Sequence, residues 1–198
     1  MVTRTRYDEY EDTEEHRAAV LTPPLSPARD HLLGPSTAPL NLVEYGDYEC
    51  PYCGMAFPVT KALKQEFEDR LCFAYRHFPL TAVHPHAELA AEAAEAAGAQ
   101  DRFWAMHDQL FLHQDRLDHE ALVEYAQVIE LDVPRFVREL RERTHLPRVR
   151  EDFLSGIASG VSGTPTFFIN GIRHEGRWDF DTLAAALTAA ETARAQHA

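Results

Sequence analysis

Cys50-Pro51-Tyr52-Cys53 narrows the possible folds of this chain more than any other segment. It stands where an apolar run, Leu40, Leu42, Val43 and Tyr45, reads as a short strand, and where Gly46-Asp47 opens a loop into a helical stretch reaching about Glu68. A cysteine at that junction sits at the positive end of the helix macrodipole, beside N–H groups with no helical partner, which favours the thiolate. Two intervening residues let the second sulfur close a small ring, so a mixed disulfide at Cys50 can be resolved by Cys53. Pro51 suits the first helical turn, where its missing N–H costs nothing.

The remaining elements follow from periodicity. Pro58 predicts a kink in the first helix, and Leu71 to Phe78 reads as a second strand. From about His86 to Ser159 the pattern is helical, in four or five pieces. HAELAAEAAEAAGA reads as a partly exposed helix of high propensity ending at Gly98, Phe103, Trp104, Phe111 and Phe136 as core, and Asp118 as a cap. Strand character returns at Thr166 to Ile169, and Asn170-Gly171 predicts a tight hairpin with Ile172 to Glu175 pairing back and Gly176 bulging. A helix from Asp181 to about Arg194 closes the chain. This order predicts an α/β fold with a mixed central sheet and a helical insertion at about 86–159. The 198 residues suit one domain, taken as 29–198. Residues 1–28, with Asp8, Glu9, Glu11, Asp12, Glu14, Glu15, Pro23, Pro24 and Pro27, read as a flexible acidic tail or a lightly docked arm.

Lys and Arg number 19 against 32 Asp and Glu, a net charge of -13, which argues against nucleic acid and anionic lipid as partners. No apolar run approaches the roughly 18 residues that span a bilayer. With Met1 as the start, MVTRTRYDEYEDTEEHR lacks a secretory core, and a cytoplasmic location is expected. Cysteines in that compartment are catalytic or metal-binding more often than bridged. A zinc module would need four ligands, and Cys72 with His77, His84 or His86 completes a set only if the fold gathers them. Cys72 itself reads as a small buried residue in a strand, and His77, His84, His86 and His107 as capping, surface or core residues. A third class is a non-catalytic peptide-binding or chaperone domain using the groove beside the helical block.

The second motif is GVSGTPTFFING, residues 160–171. Pro165 directly before an apolar strand admits two readings, a cis Thr164-Pro165 bond or an ordinary trans proline at the first strand position. LVEYGDYECPYCGMAF followed by GVSGTPTFFING resembles the thioredoxin superfamily and, given the helical block between them, its DsbA-like branch. The run RDHLLGPSTAPLNLVEYGDYECPYC is similar to DsbA-family domains that occur alone or fused to sodium/proton antiporters. The resemblance implies that Cys50 is the exposed attacking cysteine, Cys53 the buried resolving one and Pro165 the cis-proline against them. It further implies that Pro51, Tyr52 and Thr164 meet the substrate, and that Glu44 is a buried acid relaying protons for Cys53; a surface carboxylate at the strand end is the other reading of Glu44. Implied partners are protein disulfides or low-molecular-weight thiols, with an antiporter or membrane redox partner a further option, acting on a monomer with no metal or organic cofactor. Tyr52 stands where the oxidising enzymes have histidine, and Asp47 and Glu49 add negative charge nearby. Both departures predict a Cys50 pKa higher, and a couple more reducing, than in the strongest oxidants.

Overall fold

The computed structural model describes residues 19–196. The chain runs through β1 (Leu32–Leu33), β2 (Leu40–Gly46), α1 (Pro51–Phe67), a 3₁₀ turn at Glu68–Arg70 and β3 (Leu71–His77). Five helices follow, α2 (Ala87–Gly98), α3 (Phe103–Leu112), α4 (His119–Val128), α5 (Val133–Arg141) and α6 (Leu146–Ala158), then β4 (Thr166–Ile169), β5 (Ile172–Arg173) and α7 (Phe180–Gln196). The strands make one mixed sheet in the order β1-β3-β2-β4-β5, with β2 and β3 parallel and the other pairs antiparallel.

The central pair is buried on both faces, as parallel strands require. Leu40, Leu42 and Phe73 face the larger core beneath α1, α7 and the inserted helices, while Val43, Tyr45, Ala74 and Phe168 face a smaller cluster with Phe78 and Val161. Side chains alternate along a strand, so Glu44 falls in step with Leu40 and Leu42 and points into the larger core. The helical block comprises five helices, and α1 continues unbroken through Pro58.

Three expectations need correction. The Ala/Glu-rich α2 is central rather than partly exposed, with nine of its twelve residues buried. Its alanines let neighbouring helices approach closely, while Glu92 pairs with Arg143 and Glu95 with His31 and His77. Strand β5 ends at Arg173 rather than Glu175 and pairs only with Phe168 and Ile169 of β4. Asn170 and Gly171 supply the positive φ angles of 48° and 82° that its tight turn needs.

The third concerns residues 19–28, grouped above with the tail. Leu21 is buried in the smaller cluster, its N–H donates to the Gly171 carbonyl at 2.8 Å, and Thr22 N–H donates to Ser159 Oγ at 2.8 Å. Buried Arg76 donates to the carbonyls of Pro23 and Pro24 and pairs with Asp30 at 2.8 Å. A buried guanidinium must find acceptors, and these carbonyls are where it finds them. The acidic positions Asp8 to Glu15 lie outside the described residues.

Candidate active site

Cys50 is the N-cap of α1, and Pro51 opens the helix. The turn that delivers it is closed by Cys50 N–H donating to the Asp47 carbonyl at 3.1 Å. Both Cys50 and Cys53 are free thiols. Their environments push them apart. The Cys50 pKa falls from 9.0 to about 5: the Cys53 thiol donates to it, and against the opposing effect of burial it also gains from Thr164 and the N–H groups of Tyr52 and Cys53. Burial pushes Cys53 well up, reinforced by its bond to Cys50 and by the charges of Glu44 and Cys50. One helical turn therefore holds a thiolate and a thiol at neutral pH. A Cys50 pKa near 5 lies between the roughly 7 of thioredoxin and the roughly 3.5 of the most oxidising DsbA.

The Thr164–Pro165 peptide is cis and faces Cys50, whose Sγ lies 3.6 Å from the Thr164 carbonyl. That wall covers the cysteine: Cys50 is only 3% exposed against 0% for Cys53, so the expected contrast between an exposed and a buried sulfur is small. Thr166 Oγ1 donates to the Gly163 carbonyl at 2.7 Å and closes the turn leading into β4. Tyr52 and Met55, at 60% and 61% exposed, present apolar surface beside it.

Glu44 is 2% exposed, and its Oε1 has no hydrogen-bond partner. Burial, then the charge of Cys50, raises its pKa to about 8. Tyr75 lies directly opposite Glu44 across the sheet, and its hydroxyl is likewise buried without a partner. A Cβ at position 46 would come within 2.6 Å of that hydroxyl, so the close approach of Tyr75 requires Gly46. Next to it, Tyr48 bonds His107 Nδ1 through its hydroxyl at 3.1 Å. His107 is fully enclosed and its pKa held well down, first by burial, so it is a neutral core residue.

Sequence reasoning missed three groups. His84 and His86 pair with Asp47 and Glu49 at 2.7 and 2.8 Å, at the foot of the cysteine loop. Gln114, just beyond α3, donates through Nε2 to the carbonyls of Tyr48 at 2.8 Å and Cys50 at 2.9 Å. A glutamine in a connecting loop carries no periodic signal, so nothing in the sequence singles it out. Each such bond contributes about 1 kcal/mol, and the Cys50 carbonyl keeps a second donor in Gly54 N–H, so Gln114→Ala is expected to cost roughly 1–2 kcal/mol in a urea unfolding curve.

The zinc set considered above is not assembled. Cys72 is buried in β3 opposite Asn41, and His77, His84 and His86 are engaged by Glu95, Asp47 and Glu49. Among the described residues, the cluster with metal-ligand geometry is His77, Glu95 and Asp152, which contains no cysteine. Asp152 already accepts from Arg29 at 2.7 Å and Arg148 at 2.5 Å, so its charge is spent on guanidinium groups.

A family profile described as thioredoxin matches residues 27–189. The Na(+)/H(+) antiporter NhaA 1 of Salinispora arenicola is 50% identical over 167 residues, which are 84% of this chain and 26% of the antiporter. NhaA of Herminiimonas arsenicoxydans is 44% identical over 170 residues, 86% of this chain and 27% of that protein. The chain thus spans about a quarter of the length of these curated relatives. Among solved structures, oxidised BdbD of Bacillus subtilis superimposes with a TM-score of 0.78 at 23% identity, covering 89% of this chain and 100% of BdbD. Alpha-DsbA1 of Wolbachia pipientis gives 0.72 at 20% identity, covering 85% and 94%.

Proposed function

The chain belongs to the thioredoxin family and has the fold of DsbA-type proteins, and from that premise we propose that it is a thiol:disulfide oxidoreductase working through Cys50 and Cys53. The observation that carries this reading is the opposite displacement of the two thiols, one lowered to about 5 and the other pushed well up, within one helical turn. Cys50 thiolate attacks a disulfide sulfur of the substrate, forming a mixed disulfide and expelling one substrate thiolate, which takes a proton. With the Cys50 charge gone in the mixed disulfide, Glu44 releases its proton to solvent, and its carboxylate then accepts the Cys53 proton as Cys53 attacks Cys50 Sγ. The second substrate thiol leaves, and the protein holds the Cys50–Cys53 disulfide. Two electrons have passed from the cysteine pair to the substrate, and the reverse sequence donates a disulfide.

Pro51, Tyr52, Thr164 and Pro165 form the substrate edge in this proposal, with protein disulfides or low-molecular-weight thiols as substrates. The names of the relatives add a partner to it, a sodium/proton antiporter either fused to or recruiting the domain. Operation in the cytosol as a monomer completes the reading. No helix among the described residues is long and apolar enough to cross a membrane.

Equilibration with glutathione buffers and mass spectrometry of trapped thiols tests it. The potential is expected between the roughly -270 mV of thioredoxin and the roughly -120 mV of the strongest oxidants. Tyr52→His, which returns a potential cation beside Cys50, should make the couple less reducing by about 30 mV for each pH unit by which the thiolate pKa falls. Failure to form the disulfide, together with stoichiometric zinc whose chelation removes helical signal, would favour the metal module instead.

A further inference from the structure

Asp47 is the hub of the cysteine loop. Its side chain is fully buried; Oδ2 accepts from His84 Nδ1 at 2.7 Å and from Leu80 N–H at 2.8 Å, and Oδ1 accepts from Glu49 N–H at 2.8 Å. Its own N–H donates to Cys53 Sγ at 3.4 Å, and its carbonyl accepts from Cys50 N–H. A buried carboxylate in the loop that carries an anionic sulfur opposes thiolate formation unless a cation offsets it. His84 supplies the partner. Its imidazole is 17% exposed, so protons reach it, and the turn in which Leu80 carbonyl accepts from Val83 and His84 N–H fixes its position.

The geometry points to His84, held by Asp47, as a positioning residue that brings to the cysteine loop the positive charge Tyr52 cannot, so that the Cys50 thiolate and the His84 proton stabilise each other. This deepens the oxidoreductase reading and rests on it, since it assigns the pH dependence of the same nucleophile. The groups facing His84 are Asp47, Glu49 and Cys50; His86, on the same loop, is occupied by Glu49 through both its N–H and its ring. Burial pulls His84 toward the neutral form, but the Asp47 hydrogen bond and the charges of Asp47, Cys50 and Glu49 outweigh it and hold its pKa above the ordinary 6.5. The coupling is reciprocal: what Cys50 thiolate does for the imidazolium, the imidazolium does for the thiolate. Above the His84 pKa, Asp47 stands uncompensated and the thiolate loses that support.

Two measurements test the linkage without using turnover. The His84 ring is titrated by NMR in the reduced protein and in Cys50→Ser, and its pKa is expected to be lower in the variant by roughly 0.5–1 pH unit. In His84→Gln, whose amide keeps an N–H for Asp47, the pH dependence of iodoacetamide alkylation should show the Cys50 pKa raised by the same amount. An identical His84 pKa in the two proteins, or an unchanged Cys50 pKa in a His84→Gln protein with native circular dichroism, overturns the inference. The Cys50→Ser comparison stands alone should His84→Gln fail to fold. If insulin reduction were absent while the linkage persisted, the functional reading would fail and this one would not.

Discussion

Cys50→Ser is expected to lose catalysed reduction of insulin disulfides by on the order of 10³-fold or more, because a hydroxyl neither ionises near neutral pH nor forms a bond to sulfur in place of the thiolate. Cys53→Ser is expected to behave differently. Its Cys50 still attacks, so a single turnover proceeds to a mixed disulfide that accumulates and can be read by mass, while multiple turnover stalls. The asymmetry of the two thiols adds a finer expectation. The Cys53 hydrogen bond is the largest support of the Cys50 thiolate; serine keeps a donor there and alanine does not. The Cys50 pKa should therefore rise further in Cys53→Ala than in Cys53→Ser, as read by the pH dependence of alkylation. Undiminished insulin turnover in Cys50→Ser would sink the mechanism outright.

What could be read in advance was whatever short-range physics writes into neighbouring residues. The strand end, the cysteine loop and the helix start are consecutive, so one local argument about alternation and helix N-termini located both sulfurs. The tight turn at Asn170-Gly171 was legible because only a few residues accept its backbone angles. Glu44 carried a partial signal: its step with Leu40 and Leu42 put it on a buried face, but whether it had a partner there depended on Tyr75, a strand away. His84, His86 and Gln114 carried none, since their roles arise only when the loops after β3 and α3 are folded back onto the cysteine turn. The burial of α2 was misread for the same reason. Alanine and glutamate favour a helix on any surface, and only the arrival of Arg143, His31 and His77 makes the core side of that helix habitable for its carboxylates.

Glu44→Gln is expected to slow resolution of the mixed disulfide by about 10²-fold at neutral pH, the typical weight of a positioned proton acceptor. Stopped-flow release from a preformed Cys50 mixed disulfide checks it, and release at the wild-type rate would remove Glu44 from the relay. The same substitution should reshape stability against pH. Glu44 titrates near 8 when folded and near its ordinary 4.5 when unfolded, so across that window the folded state holds the proton more tightly, and stability is lost as pH rises. At about 1.4 kcal/mol per pH unit the loss accumulates to a few kcal/mol. Cys50 works in the opposite sense: its folded pKa near 5 lies below its ordinary 9.0, so its contribution grows with pH across much of the same range. In the reduced wild-type protein the two slopes offset each other between about pH 5 and 8. Removing either one should expose the other, so urea midpoints are expected to climb with pH in reduced Glu44→Gln and to fall in Cys50→Ser. Cys53, pushed well above 9.0, contributes to neither slope in that range. Oxidation removes the Cys50 charge that helps raise Glu44, so the oxidised protein should lose stability with rising pH over a narrower window that closes below 8. Parallel curves for wild type and Glu44→Gln in the reduced state would mean that burial does not hold the proton on Glu44 in the folded protein.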